Sequence, residues 1–427
     1  MTTSPETVDP ADVAEVDAAD SPVLADSFGE YVQSWWKRVR GGESGVLPVL
    51  VGLVIIVVVF QVTNSNFLTA SNMWNLVTQG ATYVLLGMAE IFVLLLGEID
   101  LSIGFVSALS AFLSIWLTTS HGWPWGPAVI LGLALSTLIG VAQGTIIVRL
   151  GLPSFVVTLA GLLGWQGVLI YATDKAGGST GGTISAENPV IHGLVGSNIP
   201  VVLGWVGLAL VLLVYAALTL LADRSRRRAG LAAVPIGLTI AKIVLVVVAG
   251  VALVAVLSVN RGQFFKVVKG VPWVVPYVLA TVVASSLLLS RTRFGRYVYA
   301  VGGNAEAARR AGISLARVRI TCFGLAGLTA GLGGLAYASN LGSISDNVQG
   351  GQLVLYAVAA AVIGGASLFG GHGKMVHALL GGLVIATIAN GMGLISLSAP
   401  MQYIVTALVL LAAVTVDALA RRGQSPT

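Results

Sequence analysis

The sequence predicts an all-α protein that crosses a membrane many times. Of its 427 residues, 56% are hydrophobic and only 10% are charged, against roughly 25% charged in soluble domains. The mean hydropathy is +0.91. Apolar runs of about 20 residues, the length a bilayer-crossing helix needs, recur after position 45. Runs such as 46–62 do not alternate, which argues against barrel strands. Fifty-three glycines suit closely packed transmembrane helices.

Residues 1–30 hold eight acids and no base, so 1–44 is expected to be an acidic, disordered cytoplasmic tail running into a juxtamembrane segment. The first apolar run starts far from Met1, with no small-residue cleavage pattern after a basic start; a cleaved signal peptide is not expected. Twelve apolar runs follow, at 46–62, 74–97, 103–118, 126–148, 153–173, 199–221, 232–258, 272–290, 317–339, 353–368, 375–396 and 401–418. The third and tenth are short and flanked by glycine, so broken or re-entrant segments are expected there. The transmembrane domain spans 45–420, with 421–427 as a cytoplasmic tail.

Charge sets the orientation. With the N-terminus inside, inner connections carry 18 bases and outer ones four, Lys175, Arg261, Lys266 and Lys269. Cytoplasmic loops are enriched in Lys and Arg, so both termini are expected in the cytoplasm. Lys242 falls within a run and is expected to snorkel to the inner interface. The basic pI of 9.4 comes from loop arginines and gives no sign of nucleic-acid binding. The single cysteine, Cys322, excludes an intrachain disulfide.

The segment 97–104 (Gly97-Glu98-Ile99-Asp100-Leu101-Ser102-Ile103-Gly104) places two carboxylates between apolar runs. A carboxylate at membrane depth costs about 2.5–3.5 kcal/mol, so both are expected to face a cavity or an interface. Either the segment lines a gate, or it is a short inner loop in which Asp100 and Ser102 satisfy backbone N–H groups, Ser102 capping the next helix. Glu90, an acid inside the second run, is a candidate pathway residue on the same ground. Asn390, with Gln143, Gln166, Thr158, Asn340 and Gln402, can hydrogen-bond between helices or meet a hydroxylated solute. Segment 364–374 ends Gly373-Lys374, is followed by Met375 and lies between apolar runs, so it fails the Gly-x-x-x-x-Gly-Lys-Ser/Thr pattern of a phosphate loop. It reads as a tight helix-packing turn. The four histidines show no metal-ligand spacing and no Ser/His/Asp set stands out, so neither a metal site nor an enzyme is expected.

The most polar part of the apolar region is 291–319, with seven arginines and one acid, Glu306. Gly302-Gly303-Asn304 followed by Ala305-Glu306-Ala307-Ala308-Arg309 reads as a capped short helix on the inner face.

Four segments resemble the permease subunits of bacterial ABC sugar importers of the ribose and xylose type: 97–104, 153–161, 294–313 and 359–371. The strongest is Phe294-Gly295-Arg296-Tyr297-Val298-Tyr299-Ala300-Val301-Gly302-Gly303-Asn304-Ala305-Glu306-Ala307-Ala308-Arg309-Arg310-Ala311-Gly312-Ile313. Glu98, the extra pair of runs within 205–258, and the ending Gln402-Tyr403-Ile404-Val405 with Asp417 look like the xylose branch. Ala311, where Ser is common, and the long acidic tail depart from the pattern. The resemblance implies an importer permease fold in which 291–316 is the cytoplasmic coupling loop. Gly302, Gly303, Asn304, Glu306, Ala307, Ala308, Arg309 and Gly312 would then contact a separate ATPase. It also implies a second permease copy, an extracytoplasmic sugar-binding protein, ATP bound by the partner rather than by this chain, and a monosaccharide, D-xylose first, as cargo. An ion-coupled secondary sugar transporter using Glu90, Glu98 and Asp100 is the alternative.

Overall fold

A computed structural model describes residues 47–177, 182–229, 236–262 and 267–422. The 1–44 tail and residues 423–427 lie outside the described residues. Fifteen helices are described: α1 (Leu47–Thr63), α2 (Ala70–Leu94), α3 (Ile103–His121), α4 (Trp125–Leu150), α5 (Ser154–Gly177), α6 (Pro189–Gly196), α7 (Val201–Arg228), α8 (Ile236–Ser258), α9 (Val274–Arg291), α10 (Arg293–Gly303), α11 (Ala305–Arg310), α12 (Leu315–Leu341), α13 (Gly350–Ile363), α14 (Met375–Leu394) and α15 (Ala399–Arg422). Four short strands complete the elements: β1 (Thr183–Ser185), β2 (Asn198–Ile199), β3 (Val271–Pro272) and β4 (Ser343–Ser345).

Among the described residues, each of the twelve apolar runs holds a helix. Nine of the described helices are long and apolar enough to cross a membrane; α1, α13 and part of α15 are shorter apolar helices. The third run is no short fragment: α3 is an unbroken 19-residue helix ended by left-handed Gly122. The tenth stays short, 14 residues in α13. Helix α15 continues to Arg422, across the 421 boundary expected from sequence.

The described residues divide into two compact units, one within Trp205–Val254, the other within 47–204 and 255–422. In the first, α7 and α8 meet through a small residue and a polar bond. A methyl group on Gly250 would come within 2.8 Å of Leu208, and Thr239 donates to Asp223 Oδ2 at 2.6 Å.

In the larger unit, α2, α3, α12 and α14 form the buried centre. Glycines let α4 and α12 approach at backbone distance: a Cβ on Gly140 would lie 2.1 Å from the Phe323 carbonyl, and one on Gly327 would lie 2.2 Å from that of Ser136. Such contact is how helices pack where lipid removes the hydrophobic drive between them.

The connections gather into two sets. In the connection between α5 and α7, β1 pairs antiparallel with β4 (Ile184 opposite Ile344) and β2 with β3. Between the strands lies α6, capped by Asn188. At the other set, the Gly371 N–H donates to the Leu95 carbonyl at 3.0 Å and the Tyr299 hydroxyl to the Gly373 carbonyl at 2.7 Å. The first set joins connections the charge pattern places outside; the second joins those it places inside.

Candidate functional site: a polar turn beneath an exposed helix

Helix α2 ends at Leu94, and the chain runs through a non-helical turn to Ser102 before α3 starts. Left-handed Gly97 (φ 73°) permits the reversal. The turn draws side chains from four helices. Glu90, fully buried on α2, accepts the Asp100 N–H through Oε1 at 3.3 Å. Asp100 Oδ1 accepts the Ser102 N–H at 2.9 Å and the Ser102 hydroxyl at 2.6 Å. Gln143 on α4 donates to Ser102 Oγ at 3.0 Å. Thr158 on α5 reaches the Ile99 carbonyl at 3.3 Å. Arg319 Nε, on α12, lies 2.7 Å from Glu98 Oε1.

Ser102 therefore does not cap α3 as expected; it makes no capping bond, because its hydroxyl is engaged by Asp100 and Gln143. Asp100 does satisfy a backbone N–H. The cluster is incompletely paired: Glu90 Oε2, Glu98 Oε2 and the Trp165 indole N–H are buried without a hydrogen-bond partner. Burial pushes the Glu98 carboxyl up from the usual carboxylate range, and the Arg319 guanidinium opposes that. Among the described residues, no group of His, Cys, Asp and Glu could hold a metal ion.

Asn390 is not part of this cluster. Its Oδ1 accepts from Asn72 Nδ2 at 2.8 Å, and Asn72 also donates to the Phe67 carbonyl at 2.8 Å. Asn390 thus ties α14 to α2 near the start of α2. Asn72, absent from the residues singled out by sequence, is its buried partner.

The short capped helix expected after Gly302-Gly303-Asn304 is α11, and a separate helix, α10, precedes it. α10 carries a strongly amphipathic sequence and ends at Gly303; Asn304 breaks the chain, and its side chain accepts the Ala307 N–H at 2.9 Å to cap α11. Glu306 pairs with Arg309 at 2.8 Å and with Arg310 at 3.2 Å. Gly303, Asn304, Glu306, Ala307, Arg309 and Gly312 are exposed. Two expected contact residues turn inward instead. Ala308 is 4% exposed and packs into the chain's own core. Gly302 abuts the polar turn, where an added Cβ would lie 1.8 Å from the Leu95 carbonyl and 2.7 Å from the Gly371 nitrogen.

This architecture defines a polytopic helical membrane protein with an exposed capped helix fastened to a polar turn. The chain belongs to the family described as "Branched-chain amino acid transport system / permease component", which matches residues 72–414. It is 32% identical to the xylose transport system permease protein of Escherichia coli (strain K12) over 90% of this chain and 95% of that protein. It is 34% identical to the protein of that name from Haemophilus influenzae over 87% and 96%. Against the ribose import permease protein of Bacillus subtilis (strain 168) the figures are 30%, 91% and 98%. The resemblance drawn from 294–313 is thereby borne out. No solved structure matches the chain.

Proposed function

We propose that this chain is the membrane-spanning permease subunit of an ATP-driven ABC importer for a monosaccharide, D-xylose first. It works with a separate cytoplasmic ATPase, an extracytoplasmic sugar-binding protein and a second copy of itself. The observation that carries this reading is α11. A helix of six residues, capped at Asn304 and ending in Arg309 and Arg310, stays exposed in an otherwise apolar protein. Its surroundings gather three connections from the base-rich side, as a contact for a cytoplasmic motor should. ATP binding and hydrolysis shift the permease between inward- and outward-facing states, which requires the motor to bind one state better than the other.

Twelve crossings, nine long helices with α1, α13 and α15 added, fit this reading, with both termini in the cytoplasm. The D-xylose preference rests on the xylose-named relatives.

Glu306→Ala with Arg309→Ala tests the motor contact. Loss of ATPase copurification and of sugar uptake is expected; unchanged association and unchanged uptake would remove the role assigned to α11. The ion-coupled alternative draws on one observation, the unpartnered buried Glu90 Oε2. It predicts uptake that an ionophore abolishes and loss of the ATPase does not.

A further inference from the structure

The α11 helix is held to the polar turn on both sides. Before it, Gly302 lies against the Leu95 carbonyl with no room for a side chain. After it, one turn into α12, Arg319 reaches Glu98 of the same turn at 2.7 Å. Leu95 and Glu98 are three residues apart, so the first half of the turn is gripped at two points by the two flanks of one surface helix. Beyond Glu98, the turn is bonded in succession to Glu90 on α2, Gln143 on α4 and Thr158 on α5.

We infer that Glu98 and Arg319 are positioning residues of the transport step, transmitting displacement of α11 to the α2–α3 turn and from there to the helices around it. This inference rests on the motor contact proposed for α11. It also assigns Glu98, a candidate gate residue in the sequence, to the linkage.

Three features distinguish a linkage from a static brace. First, the contact is short but not an aligned hydrogen bond, since Arg319 Nε makes none and Glu98 Oε2 is buried without a partner. A brace of this burial is expected to satisfy its remaining polar atoms. Second, the two ends differ in exposure: the Glu98 side chain is 9% exposed and that of Arg319 is 38%. The arginine thus stands at the more exposed end of the pair, with its carboxylate inside. Third, the two contacts are of different kinds. The Gly302 contact is steric and transmits a push; the ion pair is attractive and transmits a pull. Together they make the turn follow α11 in both directions, which a cycle between two states requires.

The test is sugar moved per ATP hydrolysed in proteoliposomes holding the chain with its ATPase and binding protein, using D-xylose. Glu98→Gln and Arg319→Gln are each expected to lower that ratio by about fivefold or more, the lower bound of ordinary coupling between sites. ATPase copurification should stay at the wild-type level. The double variant should be no worse than either single one, because both remove the same link. A wild-type ratio in the single variants would overturn the inference. So would singles whose effects multiply in the double, or a loss of uptake matched by loss of ATPase association. Should the Gln variants not assemble, Glu98→Asp decides. It keeps the charge but shortens the reach, and a wild-type ratio there overturns the linkage. If the unmutated complex shows no ATP-driven uptake at all, the importer reading fails instead, and the two failures are told apart.

Discussion

At the scale of single residues, adjacent glycines have opposite roles. Gly302 faces the Leu95 carbonyl, whereas a Cβ on Gly303 meets nothing within 4 Å. Gly302→Ala is expected to destabilise the chain by about 1–3 kcal/mol, the usual cost of overpacking against backbone that cannot yield. Gly303→Ala should leave the melting temperature in detergent unchanged. Equal melting of the two variants would contradict the close approach. Asn72→Ala removes the buried bond to Asn390 and is expected to lower stability by about 0.6–2 kcal/mol, the range for bonds between membrane helices. Addition of Asn390→Ala should cost little more, and full additivity would show that the two do not act as a pair. Glu90, Glu98, Asp100 and Ser102 were legible in sequence because polar groups between apolar runs are expensive. Their pairings were not: Gln143 and Arg319 lie 41 and 221 residues from Ser102 and Glu98 in this numbering, and no local pattern announces a contact at that distance. The inward turn of Ala308 was equally hidden, since a six-residue helix is too short for its buried face to show as a period.

At the scale of elements, long apolar runs read directly as helices because twenty apolar residues leave the backbone no other way to satisfy its polar groups in lipid. Strands of two and three residues carry no such signal, so β1 to β4 and α6 emerge only from tertiary pairing. That pairing is testable. Thr183 lies opposite Ser345 in the β1–β4 register, so Thr183→Cys with Ser345→Cys should cross-link under mild oxidation. Thr183→Cys with Ile344→Cys, one residue out of register, should cross-link less. Cys322 is buried and does not compete. Equal cross-linking of both pairs would mean that the register is not fixed. The break at Asn304 was half legible: Gly-Gly-Asn marked a helix start, but the amphipathic α10 before it merged with a polar arginine-rich stretch.

For the molecule as a whole, composition alone set the class, because few soluble folds could carry so little charge. The assembly of the connections was not legible, since it depends on which loops meet: 95–98 with 302 and 370–373 at one set, 183–185 with 343–345 at the other. These contacts carry an expectation for sidedness. A cysteine at Gly303 should react with a membrane-impermeant thiol reagent only in inside-out vesicles, and one at Glu187 only in intact cells; labelling of both from one side would undo the topology. The most direct test of the importer itself is D-xylose uptake into proteoliposomes containing this chain, its ATPase and its binding protein, with and without enclosed ATP. Uptake that needs ATP, needs the binding protein and survives an ionophore is the expected result; uptake that proceeds without ATP and collapses with the ionophore would contradict it.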